Sequence, residues 1–230
     1  MDETIRRKLT IPDLICCAKE FCTDFSMRQF PEMFGVTDGK NVGTFIEHAF
    51  QKFLSERYVV EIGNSAKGID LPSAEVCTDI KTTSHTQPQS SCPFKNAKQK
   101  IWGLGYNLLL FVYEKSDLPE KRTAVFRFVS CAFVSKERTA DFQTTSRLRE
   151  IVKNDGNADD VAAYLFDRNL PADETTIRRI AEEVLANPPT LGYLTISNAL
   201  QWRLQYQRIV DLAESVPGIQ KILDADDVQK

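Results

Sequence analysis

The ten residues Tyr106 to Lys115, "YNLLLFVYEK", constrain the fold more than any other stretch of this chain. Every position from Leu108 to Tyr113 is apolar or aromatic, with Gly105 before the run and "SDLPEK" after it. A short apolar run between turn residues reads as a strand, and one without polar alternation reads as a buried central strand. A second β-rich segment, "RTAVFRFVSCAFVSK" (122–136), follows. Upstream, "IPDLICCAKEFCTDF" (11–25) has apolar residues at helical spacing and tolerates Pro12 in a first turn. "NVGTFIEHAFQKFLSERY" (41–58) predicts a second helix with Asn41 as its N-cap, and Gly43 and Glu47 share one of its faces. "HTQPQSSCPF" (85–94) reads as a polar loop and "KNAKQKIWGL" (95–104) as a helix entry. After about residue 138 the pattern is helical to the end, with breaks at "KNDGN", "NLPADE" and "ANPPTLG". The segment 196–209, with Gln201, Trp202 and Arg203 beside an Ile196, Leu200, Leu204, Ile209 stripe, is read as one of these helices. The expected class is α/β: a mixed β-sheet flanked by helices, with a helical C-terminal third.

At 230 residues the chain suits one substantial domain, expected over 1–230 with a core at about 41–137 and a helical region at about 138–230. No apolar run approaches a membrane span and the N-terminal residues lack a signal-peptide core. The expectation is a soluble, cytoplasmic protein with no membrane partner. Six cysteines without C-x-x-C spacing and only two histidines argue against a zinc site or a disulfide framework, and predict reduced, mostly buried thiols. A net charge of −3 gives no overall support for nucleic-acid binding. Its distribution is more informative. Lys81 to Tyr113 holds four lysines and no acid, and Lys121 to Lys136 is again acid-free, while acids collect at 155–183 and in the tail. Such segregation can build a positive surface on an acidic protein, although these lysines also read as solvated helix and loop positions.

Chemistry concentrates in "GIDLPSAEVCTDIKTTS" (68–84). Strand alternation puts Glu75, Cys77, Asp79 and Lys81 on one face and Val76, Thr78, Ile80 and Thr82 on the other. Asp70 lies just upstream in a Gly- and Pro-punctuated turn. Carboxylate oxygens are the ligands a hard divalent cation prefers, and such a cation lowers the pKa of water and stabilises charge on a phosphoryl oxygen. On this reading Asp70 and Asp79 hold the metal, the Ile80 carbonyl is a further ligand, and Lys81 assists the nucleophile. Glu75 reads as a solvated strand-end acid, and His48 points away from its neighbour Glu47.

Asp70 followed by Asp79-Ile80-Lys81 resembles the PD-(D/E)xK nuclease superfamily, and the resemblance extends to type II restriction endonucleases. The pattern has an acid at a turn, a (D/E)-x-K on the adjoining strand, and often an acid on the preceding helix, the position of Glu47. Here Ile69 replaces the proline and Asp79 is the less common acid. The resemblance implies a restriction-endonuclease-like core over the middle third, with Asp70, Asp79, Lys81 and Glu47 catalytic and Mg²⁺ as cofactor. It implies double-stranded DNA as substrate, a homodimer for a two-fold target, and a cognate DNA methyltransferase as genetic partner. Ser84, His85, Gln87, Gln89, Lys95, Lys98 and Lys100, in the polar, acid-free stretch downstream, are the candidate DNA contacts. Two other readings stand beside this one: a repair or recombination nuclease of the same superfamily, and a non-catalytic DNA- or protein-binding module.

Overall fold

Thr10 starts the first helix, α1 (Ile11–Ser26): its hydroxyl accepts from the Asp13 N–H while the Asp13 carboxylate accepts from the Thr10 N–H. This capping box satisfies two backbone donors that a helix start leaves unpaired. Along one face α1 buries Leu14, Cys17, Ala18, Phe21, Cys22 and Phe25. The second helix, α2 (Gly39–Ser55), begins earlier than its sequence signal implies. Asp38, rather than Asn41, is the N-cap, its carboxylate accepting from the Lys40 N–H at 3.1 Å.

The structure, a computed structural model, describes residues 6–63, 68–93, 95–197 and 202–224. Its further elements are β1 (Thr78–Ser84), β2 (Gln89–Cys92), α3 (Gln99–Trp102), β3 (Asn107–Leu118) and β4 (Thr123–Val134). They continue with α4 (Phe142–Lys153), α5 (Ala158–Asp167), α6 (Glu174–Ala186), β5 (Thr195–Ile196), β6 (Trp202–Gln205), α7 (Gln207–Val210) and β7 (Ile219–Asp224). No described helix is long and apolar enough to cross a membrane.

The chain divides into two compact units. The first comprises Met1–Pro88, Asn107–Val134 and Glu214–Lys230. Its sheet has the order β1-β3-β4-β7, with β1 parallel to β3 and the other pairs antiparallel. The apolar run lies inside this sheet as β3, buried continuously from Asn107 to Tyr113, as its lack of alternation predicts. Leu109, Phe111 and Phe128 of the sheet share one core with α1 and α2. Phe21 sits at its centre, with ring centroids 5.0 to 6.1 Å from those of Phe25, Phe50, Phe53, Phe111 and Phe128.

The second unit comprises Gln89–Tyr106 and Ser135–Ala213. Helices α4, α5 and α6 pack Leu148, Ile151, Val161, Leu165, Ile177, Ile180 and Val184 into a separate core with Ile101 of α3. The three predicted breaks fall between these helices and after α6. Beyond Ala186 the expectation of helix fails. Trp202–Gln205 is a strand, pairing with β2 and β5 in a three-stranded antiparallel sheet of order β2-β6-β5. Among the described residues of 196–209, helix is found only at 207–209, where α7 begins, while 198–201, with Leu200 and Gln201, lie outside the described residues. The supposed loop 85–94 likewise contains β2. All six cysteines are free thiols, with Cys17, Cys22, Cys92 and Cys131 buried.

Candidate active site

β1 is an edge strand, hydrogen-bonded to β3 on one side only in its sheet. An open edge exposes backbone donors and acceptors, and here two acids occupy it. The Asp70 carboxylate accepts from the Ile80 N–H at 2.9 Å, and the Glu47 carboxylate accepts from the Thr82 N–H at 3.2 Å. Because a strand residue directs its N–H and C=O to the same side, the Ile80 carbonyl faces that edge too.

Local chain geometry brings Asp70 there. Leu71 and Thr78 exchange antiparallel hydrogen bonds of 2.9 and 3.0 Å, so Asp70 lies across from Asp79. Gly63 secures the other flank: its N–H donates to the Asp70 carbonyl at 2.7 Å, and a Cβ there would meet the Ile69 carbonyl oxygen at 1.9 Å. Any other residue at 63 would force this close approach apart. At Cys77 the backbone has φ +32°, strained for a residue with a Cβ. The regular strand starts at Thr78, so the expected alternation does not run back to Glu75. Glu75 is instead half exposed, 3.5 Å from Lys8.

Helix α2 supplies a polar stripe at four-residue spacing. Gly43 lets it approach β1, since a Cβ there would lie 3.3 Å from the Thr82 carbonyl oxygen. One turn on is Glu47, and one more is Gln51, whose amide donates to the other Asp70 oxygen at 3.2 Å. The i, i+4 repeat from Gly43 and Glu47 could have identified Gln51 in the sequence. His48 is exposed, as its different face requires.

Asp79 and Lys81 point to the same face of β1, with Nζ 2.7 Å from the carboxylate. Burial pushes the Asp79 carboxyl up to about 6; Lys81 opposes the shift and a hydrogen bond with Asp70 adds to it. Glu47 is pushed up to about 7, first by burial and then by the charge of Asp70, with Lys81 acting in the opposite sense. Three acids thus crowd around one ammonium in a poorly solvated place. That arrangement disfavours full ionisation and would be relieved by added positive charge. Among the described residues no group of three or more His, Cys, Asp and Glu is disposed to hold a metal ion. Asp70 and Asp79, with the Ile80 carbonyl, form an all-oxygen set instead. Mg²⁺ is usually held by one or two carboxylates and keeps several waters, so this donor set fits a hard cation.

The sequence candidates for DNA contact have varied surroundings. Ser84 ends β1 with its hydroxyl 3.1 Å from that of Thr86, His85 and Gln87 are exposed, and the Gln87 carbonyl accepts from the Thr83 hydroxyl. In the second unit Gln89 opens β2 and Lys95 is exposed. Lys98 pairs with Glu183 at 2.5 Å. Lys100 is only 2 % exposed; burial draws its ammonium below the ordinary lysine range, with Asp141 opposing. A lysine so placed packs within its own unit rather than facing solvent. Arg208, on α7, lays its guanidinium 3.7 Å from the Phe142 ring centroid.

The family model described as "Type II restriction enzyme NspV" matches residues 8–221. The type II restriction enzyme NspV of Nostoc sp. is 53% identical over 211 residues, which cover 92% of this chain and 95% of that protein. No solved structure matches. A match of this extent takes in both units and every acid and lysine just described, and the chain belongs to the NspV family of type II restriction enzymes.

Proposed function

We infer that this protein is a type II restriction endonuclease that hydrolyses phosphodiester bonds of double-stranded DNA at a short specific sequence, with Mg²⁺ as its cofactor. The observation that carries the reading is the opposition of Asp70 and Asp79 beside Lys81, whose ammonium lies 2.7 Å from Asp79. Asp70, Asp79 and the Ile80 carbonyl are the proposed cation ligands. The bound cation would supply Lewis acidity toward the scissile phosphate and a lowered pKa for nearby water. Lys81 neutralises charge that develops on the phosphoryl oxygens and helps orient the attacking water. Glu47, with its carboxyl near 7, accepts or returns a proton at neutral pH, while its hydrogen bond to Thr82 holds it against β1. Gln51 fixes the rotamer of Asp70 from the same helix.

The remaining proposals follow from the family. The family match covers parts of both units, which supports treating 1–230 as one nuclease domain. A two-fold symmetric target calls for a homodimer, because each site cuts one strand. A cognate DNA methyltransferase would protect the host sequence, and the enzyme would act in the cytoplasm. Ser84, His85, Gln87, Gln89 and Lys95 are retained as proposed DNA contacts. Lys98 is a weaker contact because Glu183 already holds it, and Lys100 is assigned to packing.

Incubation of the purified protein with plasmid DNA and Mg²⁺ tests the reading. Discrete fragments whose ends share one sequence are expected, and EDTA abolishes them. Nicked circles alone, or intact plasmid, would contradict it.

A further inference from the structure

The small sheet of the second unit has two unlike faces. Cross-strand partners point the same way, so the pairs Cys92–Trp202 and Ser90–Leu204 face inward, with Ile196 beside Leu204. Trp202, Leu204 and Ile196 are buried, and Tyr206, next after β6, holds the Ser90 hydroxyl at 2.5 Å. Outward, Gln205 lies between Gln89 and Thr195, and Arg203 lies opposite Ser91. Arg203 and Gln205 are exposed. Asp141 anchors β5, accepting from the Ile196 N–H at 2.8 Å, and the Ser197 hydroxyl accepts from the Arg203 N–H at 3.1 Å. The outer row is thus set on a fixed backbone.

Its chemistry is selective. Among the described residues amides, hydroxyls and one guanidinium line it, with no large apolar side chain. Residues 89–106 and 188–210, which contain all three strands, hold no Asp or Glu, whereas 142–186 of the same unit hold nine acids. A polyanion is favoured by the first region and repelled by the second. A protein partner would have to bury these amides against matching groups, and the described residues of this face offer no apolar area to offset that cost. Duplex DNA supplies both matching features: phosphates for the guanidinium charge, and base edges with donors and acceptors for glutamine and arginine. Neighbouring strands lie about 4.8 Å apart, so a β2–β6 ribbon fits a major groove about 12 Å wide.

We propose that the outer face of the β2-β6-β5 sheet reads base edges in the major groove of the target DNA, with Gln205 and Arg203 as specificity-determining residues and Gln89 beside them. The inference rests on the restriction-endonuclease reading. Gln205 selects adenine, for which its amide is a bidentate partner, and Arg203 selects guanine.

The test first maps the cut site by sequencing the ends of plasmid fragments made by the wild-type protein. A labelled duplex carrying that site, and a set with each base pair replaced in turn, then report binding in Ca²⁺ buffer. Gln205→Ala and Arg203→Ala should each weaken binding to the mapped duplex by about 10- to 100-fold. Each should lose discrimination at one base pair while binding the duplex altered there as well as wild type does. Arg179→Ala, on α6, should leave both quantities unchanged. Equal loss on mapped and altered duplexes, or no loss for either variant, would overturn the assignment while leaving the nuclease reading intact. A wild-type protein that yields no discrete fragments would overturn both.

Discussion

Lys81 lies 2.7 Å from Asp79 and Lys98 lies 2.5 Å from Glu183, yet the two ion pairs occupy different surroundings. The side chains of the first are 21% and 7% exposed, those of the second 42% and 39%. Asp70 and Glu47 crowd the first pair and raise its electrostatic cost. Beside the second pair the Trp102 ring lies 5.9 Å from the ammonium. Exposed pairs are screened by water and salt and contribute little to stability. Buried acids of like charge are costly, and a protein keeps them where their protonation or their affinity for a cation is used. Pair distance alone therefore says little about function; burial and the next carboxylate decide.

The largest contrast comes from deleting the acid of each pair. Asp79→Ala should reduce Mg²⁺-dependent cleavage by about 1000-fold or more, whereas Glu183→Ala should leave the single-turnover rate within about two-fold. Equal losses would erase the distinction between the two pairs. Next in size is Glu47→Gln, which should slow cleavage by about 10- to 100-fold, with its Thr82 hydrogen bond kept by the amide oxygen.

The same variant tests the electrostatics around the buried pair. Glu47 and Asp79 have folded-state values raised from 4.5 to about 7 and from 3.8 to about 6. Native protein then holds protons that the unfolded chain releases, so these groups favour folding at low pH and that contribution fades as pH rises through 7. In EDTA, Glu47→Gln should match wild type near pH 4 and exceed it by about 1–2 kcal/mol above pH 7, after allowance for solvent screening. Urea unfolding across that range measures it; a variant less stable at pH 8 would contradict the crowding. The smallest effect belongs to Lys98→Ala, within about 0.5 kcal/mol in stability. If Lys98 meets a phosphate, its removal lowers the magnitude of the salt-dependence slope by about 0.9 in duplex binding.

The sequence made the buried strand and the D-x-K triplet legible because each depends on short-range pattern. Continuous apolarity marked β3, and period-two spacing put Asp79 and Lys81 on one face. Asp70 and Glu47 were within reach because a turn and a helix deliver them from nearby in the chain. What stayed hidden depends on context. A bulge lets Ile222 interrupt the β4–β7 register, so Ile219, Ile222 and Leu223 mimic helical spacing within a strand. Over 202–206, Trp202, Leu204 and Tyr206 alternate with Arg203 and Gln205, but Leu204 also fits a helical stripe in sequence with Ile196 and Leu200. Tertiary pairing with β2 settles that ambiguity. Burial of Lys100 was equally invisible, since its partner Asp141 lies far along the chain.

On the proposed mechanism, Lys81 serves the chemical step and not DNA capture. Single-turnover cleavage at saturating Lys81→Ala enzyme, measured beside duplex affinity across a salt series without catalytic metal, tests it most directly. The expected result is a cleavage rate lower by about 100-fold or more, with affinity and salt slope nearly unchanged. A variant that loses affinity yet cleaves at the wild-type rate when saturated would make Lys81 a DNA-binding residue with no part in the chemical step.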